Sequence, residues 1–159
     1  MVSLEVDSIG AIPIDLDDSL QASKVLRAIA AKATSGNLHR SEPLPAAGSN
    51  GPPYALIQWG LNNSPELKNL PHEGTAKIKR GSVCLIGGAS DLFISLARNA
   101  EHDGWETGMT VLGSVPEPEL TSLVEEKILA LPKHIFTHPQ YGTTMSMLDT
   151  ELGCRLSVR

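Results

Sequence analysis

Short runs in which apolar and polar residues alternate dominate the first part of the chain. Ser3 to Val6 opens as an extended run and is turned at Ser8-Ile9-Gly10. Ala11 to Leu16 follows, with Ile12, Ile14 and Leu16 on one face, as in a half-buried strand. Pro13 removes one ladder donor, so its nitrogen belongs at an edge or turned outward. The period then lengthens. Asp17, Asp18 and Ser19 are N-cap residue types, and Ala22, Val25, Leu26, Ile29, Ala30 and Ala33 recur at helical spacing. Ser35-Gly36-Asn37 is the expected stop.

Leu38 to Arg40 reads as a brief strand. Residues 41–53 (SEPLPAAGSNGPP) read as an irregular loop, since turn and breaker residues crowd it. Strands are expected at Tyr54–Gln58, at Ser82–Ile86 and Leu92–Leu96 around a Gly87-Gly88 turn, and at Met109–Val115. Pro118 suits a helix start, and Leu120, Leu123, Val124, Ile128 and Leu131 give that helix an apolar face before Pro132. Thr143 to Leu148 is the last clear strand. Residues 149–159 are left as a C-terminal extension, with Arg155–Val158 extended. Many short strands with Gly/Pro turns and two helices predict a single, mainly β domain over 1–159, a barrel or a sandwich.

Composition narrows the partners. Lys plus Arg number 13 against 18 Asp plus Glu, a formal charge of -5, and no basic run interrupts this balance. A nucleic acid or an anionic membrane surface needs a basic footprint, so neither is an expected partner. No apolar stretch approaches the roughly 18 residues of a membrane span. The first residues lack the basic and apolar regions of a signal peptide, which leaves the cytoplasm as the default compartment. A targeting or membrane segment outside the given chain would be compatible with this. Cys84 and Cys154 have neither metal-ligand spacing nor disulfide density, and the five histidines have no ligand pattern, so no metal is expected. Ile86-Gly87-Gly88-Ala89-Ser90 joins two strands rather than a strand and a helix, which is a hairpin and not a phosphate cradle. Aromatic residues make up only 4% of the chain, so a ligand pocket rich in stacked rings is not expected.

Six segments, in order, resemble the cyclophilin-type peptidyl-prolyl isomerases over roughly Ser3 to Leu148. They are Gly10-Ala11-Ile12-Pro13-Ile14-Asp15-Leu16, Leu38-His39-Arg40, Leu56-Ile57-Gln58-Trp59-Gly60, Arg80-Gly81-Ser82-Val83-Cys84-Leu85, Ser90-Asp91-Leu92-Phe93-Ile94-Ser95, and Asp103-Gly104 with Thr110 to Val115. The resemblance implies a closed eight-stranded antiparallel barrel capped by two helices. It also implies an activity: rotation of X-Pro bonds in a proline-containing peptide or protein segment, with no cofactor. By resemblance, Arg40 is the catalytic donor. Gln58 holds it and the substrate, Phe93 floors a proline socket, and Leu56 stands for the family's Met in the wall.

The remaining groove positions depart from the family pattern. Ala55 stands for a Phe, Ile86-Gly87 for Ala-Asn, Asp91 for a Gln, and Glu101-His102 for Trp-Leu. Ile86, Gly87, Asp91 and His102 are therefore the expected substrate contacts beside Gln58, Phe93 and Leu56, in a pocket short of rings. Two functions compete: a divergent isomerase, and a catalytically silent interaction or assembly module on the same fold. A small-molecule carrier ranks below both, because Ile, Leu and Val fill a small barrel.

Overall fold

The structure, a computed structural model, describes residues 1–47 and 53–159. In chain order it comprises β1 (Val2–Val6), β2 (Gly10–Leu16), α1 (Gln21–Ala31), β3 (Thr34–Glu42), β4 (Leu56–Leu61), β5 (Ser82–Ile86), β6 (Asp91–Ser95), β7 (Met109–Ser114), α2 (Glu117–Glu119), β8 (Lys133–Thr137) and β9 (Thr144–Val158). α2 runs on into a π-helical stretch, Leu120–Ile128. Strand neighbours follow the order β1-β2-β7-β5-β6-β4-β3-β9, and β9 pairs back onto β1. All pairs are antiparallel, so eight strands close into a barrel. β8 hangs on β9 outside the ring. The mainly β barrel with two helices agrees with the expectation, and closure removes the free edges of the ring.

Inward positions fill the interior: Leu4, Ile12, Ile14, Leu38, Ile57, Trp59, Ile94 and Leu112 are all essentially inaccessible. α1 lays Ala22, Leu26, Ile29 and Ala30 on this core. Its cap differs from the expectation. Asp17 accepts hydrogen bonds from Ser19 N–H and Oγ–H and shapes the preceding turn. The first helical amides, Gln21 and Ala22, instead donate to the two carboxylate oxygens of Glu73, each at 2.8 Å. A distant carboxylate thus meets the orphan donors and positive end of the helix. In the second helix the π-helical bond Leu129 N–H to Val124 O is in place, and Leu120, Val124 and Ile128 are buried. Their spacing of four matches the wider π turn and keeps all three against the barrel.

Three differences from the expected boundaries have physical causes. First, Ser35-Gly36-Asn37 does not end α1 but lies within β3; the helix stops at Ala31, followed by Ala33 at φ 52°. Gly36 is required by proximity, because a Cβ there would lie 2.0 Å from Gly60 O across the β3–β4 pair. Gly36→Ala must therefore part those strands, and a loss of roughly 3 kcal/mol, at the upper end of overpacking costs, is expected in urea unfolding. Second, Ser41 and Glu42 belong to β3, so the irregular loop begins at Pro43; its 48–52 portion lies outside the described residues. Third, residues 149–158 are not an extension. They are the far half of β9, and pair with both β1 and β3 to close the barrel.

Candidate functional site

The site is built on the outer face of the barrel by one row of cross-strand neighbours. Arg40 on β3 pairs with Gln58 on β4, Gln58 with Phe93 on β6, and Phe93 with Cys84 on β5. A register shift between Leu38 and Arg40 aims this row. Leu38 is buried in the interior, and unbroken alternation would send Arg40 inward as well. The extra residue of the bulge turns Arg40 outward and returns Ser41 to the buried side. Arg40, Gln58, Phe93 and Leu56 thereby meet in one cleft of about 540 Å³. Ile86 lines it too, together with Tyr54, Trp105, Met109, Tyr141 and Thr143.

A chain of polar contacts runs across the cleft floor. Arg40 Nη1–H donates to Gln58 Oε1 at 3.0 Å, and Arg40 Nη2–H donates to Glu42 Oε2 at 2.7 Å. Gln58 Nε2–H donates to Asp91 Oδ2 at 2.7 Å, and His39 Nε2 lies 3.5 Å from the same oxygen. The Arg40 side chain is 12% exposed and Glu42 only 1%. Glu42 spends its other oxygen on Ser146 N–H of β9, at 2.7 Å. Both neighbours of Glu42 are donors, so only a carboxylate, with an acceptor at each end, satisfies both. Each terminal nitrogen of Arg40 keeps a second N–H for a ligand.

The expected shortage of rings is overturned. Of the six aromatic residues in the chain, Tyr54, Phe93, Trp105 and Tyr141 all line this cleft. Ala55 does remove a side chain from the row, since it is fully buried in the core. Its backbone, however, sits at φ 53°, a left-handed kink just before β4. Tyr54 on the other side of the kink puts its ring 5.6 Å from the Arg40 guanidinium carbon. Trp105 stands at the other end, its ring edge-on to Phe93 with centroids 6.0 Å apart and tilted on Tyr54 at 5.4 Å. Tyr54, Leu56 and Gln58 share one parity, so Tyr54 was within reach of the alternation rule. Met109 lies on β7 with the outward parity of Val111. Trp105, Tyr141 and Thr143 come from turns and a hairpin, where periodicity carries no signal.

Three expected contacts are elsewhere. Gly87 is in the β5–β6 turn with its N–H donating to Gly108 O at 2.9 Å, so that group is not free to grip a substrate. Asp91 acts one layer back, holding Gln58. His102 lies behind the cleft wall, 2% exposed, with its ring stacked on Trp105 at 4.5 Å. His102 Nε2 bonds Tyr54 O, which fixes the proton on Nε2, and Ser95 Oγ–H then donates to Nδ1 at 2.9 Å. A neutral ring thus ties together the two aromatic walls. Burial, with the Arg40 charge adding to it, holds His102 below the ordinary imidazole range, against the opposing Tyr54 carbonyl and Glu101.

This buttress has a pH consequence. The unfolded chain takes up a proton on His102 near pH 6.5, whereas the folded ring resists it, so acid favours unfolding. The stabilisation is whole above about pH 6.5 and is lost as pH falls towards the depressed folded value. Thermal melts are expected to show a Tm that declines below this point, and a shallower decline in His102→Gln.

Two other features are chemically quiet. Burial pushes the Cys84 thiol under Phe93 up to about 12, which leaves no thiolate at neutral pH. In a second cleft of about 450 Å³, Arg80 and Arg98 are paired internally: Arg80 bonds Glu117 at 2.8 Å and also Glu125, which accepts from Arg98 at 3.0 Å. No protein-family model matches the chain, and no curated protein matches it in sequence.

Proposed function

We propose that the chain is a divergent cyclophilin-type peptidyl-prolyl isomerase acting on a proline-containing peptide or protein segment. The observation that carries this reading is the meeting of Arg40, Gln58, Phe93 and Leu56 in one open cleft on the outer face of a closed barrel. Isomerisation requires no bond to heavy atoms to break. It must overcome the amide resonance, about 18–20 kcal/mol, by favouring the twisted form in which the prolyl nitrogen carries its own lone pair. Phe93, Leu56 and the ring of Trp105 offer an apolar seat for the proline ring. A free N–H of Arg40 donates to the prolyl nitrogen as its lone pair localises, an interaction made only in the twisted state. Gln58 holds the guanidinium at its Nη1 edge, so that little reorganisation is needed.

A second reading, an interaction module without catalysis, is favoured by one specific observation. The Arg40 charge is already offset by a carboxylate that is almost fully buried, which weakens its field in the cleft. Uncatalysed X-Pro exchange takes tens to hundreds of seconds, so the two readings separate cleanly. With a short prolyl peptide, the native protein is expected to shorten that time and so support the isomerase. Binding without acceleration would leave the interaction module.

A further inference from the structure

One part of the cleft lining comes from outside the barrel ring and its helices. β8 hangs outside the ring on the first half of β9, and the tip that joins the two strands brings Tyr141 and Thr143 to the cleft. The tip is built rather than loose. His138 N–H donates to Thr143 O and Gly142 N–H to His138 O, each at 2.9 Å. His138 Nδ1 accepts from the amides of Gln140 and Tyr141, and its ring stacks on Tyr141 with centroids 4.7 Å apart. The tyrosine is nonetheless 73% exposed. An ordered, solvent-facing ring at a cleft rim offers contact area at low entropic cost.

The charges of the cleft decide what this wall would grip. Arg40 is paired with Glu42, and Asp91 is engaged by Gln58 with His39 nearby. No further ionic side chain lines the cleft among the described residues, and Tyr141, Trp105, Met109 and Ile86 are part of its lining. A volume of about 540 Å³ lies in the range of sites that hold whole ligands, and leaves space beside a proline ring for a neighbouring side chain. We propose that the β8–β9 hairpin is a specificity wall, and that Tyr141 selects segments in which a bulky apolar residue adjoins the proline. This rests on the prolyl reading above for the proline, but not for the apolar neighbour.

Three blocked peptides separate the two claims: one with Phe on both sides of Pro, one with Ala on both sides, and one with Phe flanking Ala in place of Pro. Titration of the native full chain by NMR is expected to give about tenfold tighter binding of the Phe-Pro-Phe peptide than of the Ala-flanked one. In Tyr141→Ala that ratio is expected to collapse to about twofold, and in Tyr141→Phe, which keeps the ring, to persist. Because Tyr141 is exposed, thermal melts of both variants should match the native protein and exclude misfolding as the cause. Equal affinity for the Phe- and Ala-flanked peptides, or an undiminished ratio in Tyr141→Ala, overturns the wall. Equal affinity for the Phe-Ala-Phe and Phe-Pro-Phe peptides leaves the wall standing and removes the prolyl reading.

Discussion

Arg40→Ala is expected to slow isomerisation of a bound prolyl peptide by about 10²–10³-fold, the usual cost of deleting one preorganised donor aimed at developing electron density. The proposed donor acts only on the twisted state, so the loss should fall on kcat. Phe93, Leu56 and Trp105, which would seat the proline, keep their own contacts with one another, so KM should change by no more than about threefold. Progress curves at several peptide concentrations separate the two parameters. A rise in KM with kcat preserved would mean that Arg40 anchors the peptide rather than helping it rotate.

Glu42→Ala should destabilise the fold by about 3–5 kcal/mol. Removing the carboxylate strands a guanidinium that is only 12% exposed, and leaves Ser146 N–H on β9 without its acceptor. The pair itself need not be a net source of stability, because desolvating two charges is expensive; breaking one side is what costs. Arg40→Ala combined with Glu42→Ala removes the stranded cation, so urea unfolding should show the double variant losing less than the sum of the singles. Additive losses would show that Glu42 acts through β9 alone. The same contact couples the cleft floor to the strand that carries the hairpin, since Ser146 lies in β9 just beyond Thr143.

Most strands and both helices were legible from alternation and helical period, whereas Arg40, Gln58 and Phe93 were singled out through the resemblance alone. What stayed hidden depends on contacts between distant segments. Gly36 looks like a helix stop in isolation, and becomes a strand residue only because Gly60 O presses against it. The outward turn of Arg40 needs a bulge that no residue type announces. Pro132 and Pro139 disguise β8, whose Ile135 and Phe136 are exposed and so leave no half-buried alternation to read. The low aromatic content misled most. It predicts a pocket short of rings, whereas Trp59 fills the core, Phe136 lies on β8, and the other four rings gather in the cleft.

In the proposed function the planar fork of Arg40, held by Gln58 and Glu42, promotes rotation of a prolyl bond seated on Phe93. Exchange NMR on one X-Pro peptide, with the native protein and Arg40→Lys measured side by side, reads that rotation. Lysine keeps the charge but lacks the planar fork by which Arg40 meets Gln58 and Glu42 through two separate nitrogens. Cis–trans exchange peaks well above the uncatalysed rate are expected with the native protein, together with their loss in Arg40→Lys while peptide binding persists. Exchange at the uncatalysed rate with the native protein, or undiminished exchange in Arg40→Lys, would contradict the proposed function.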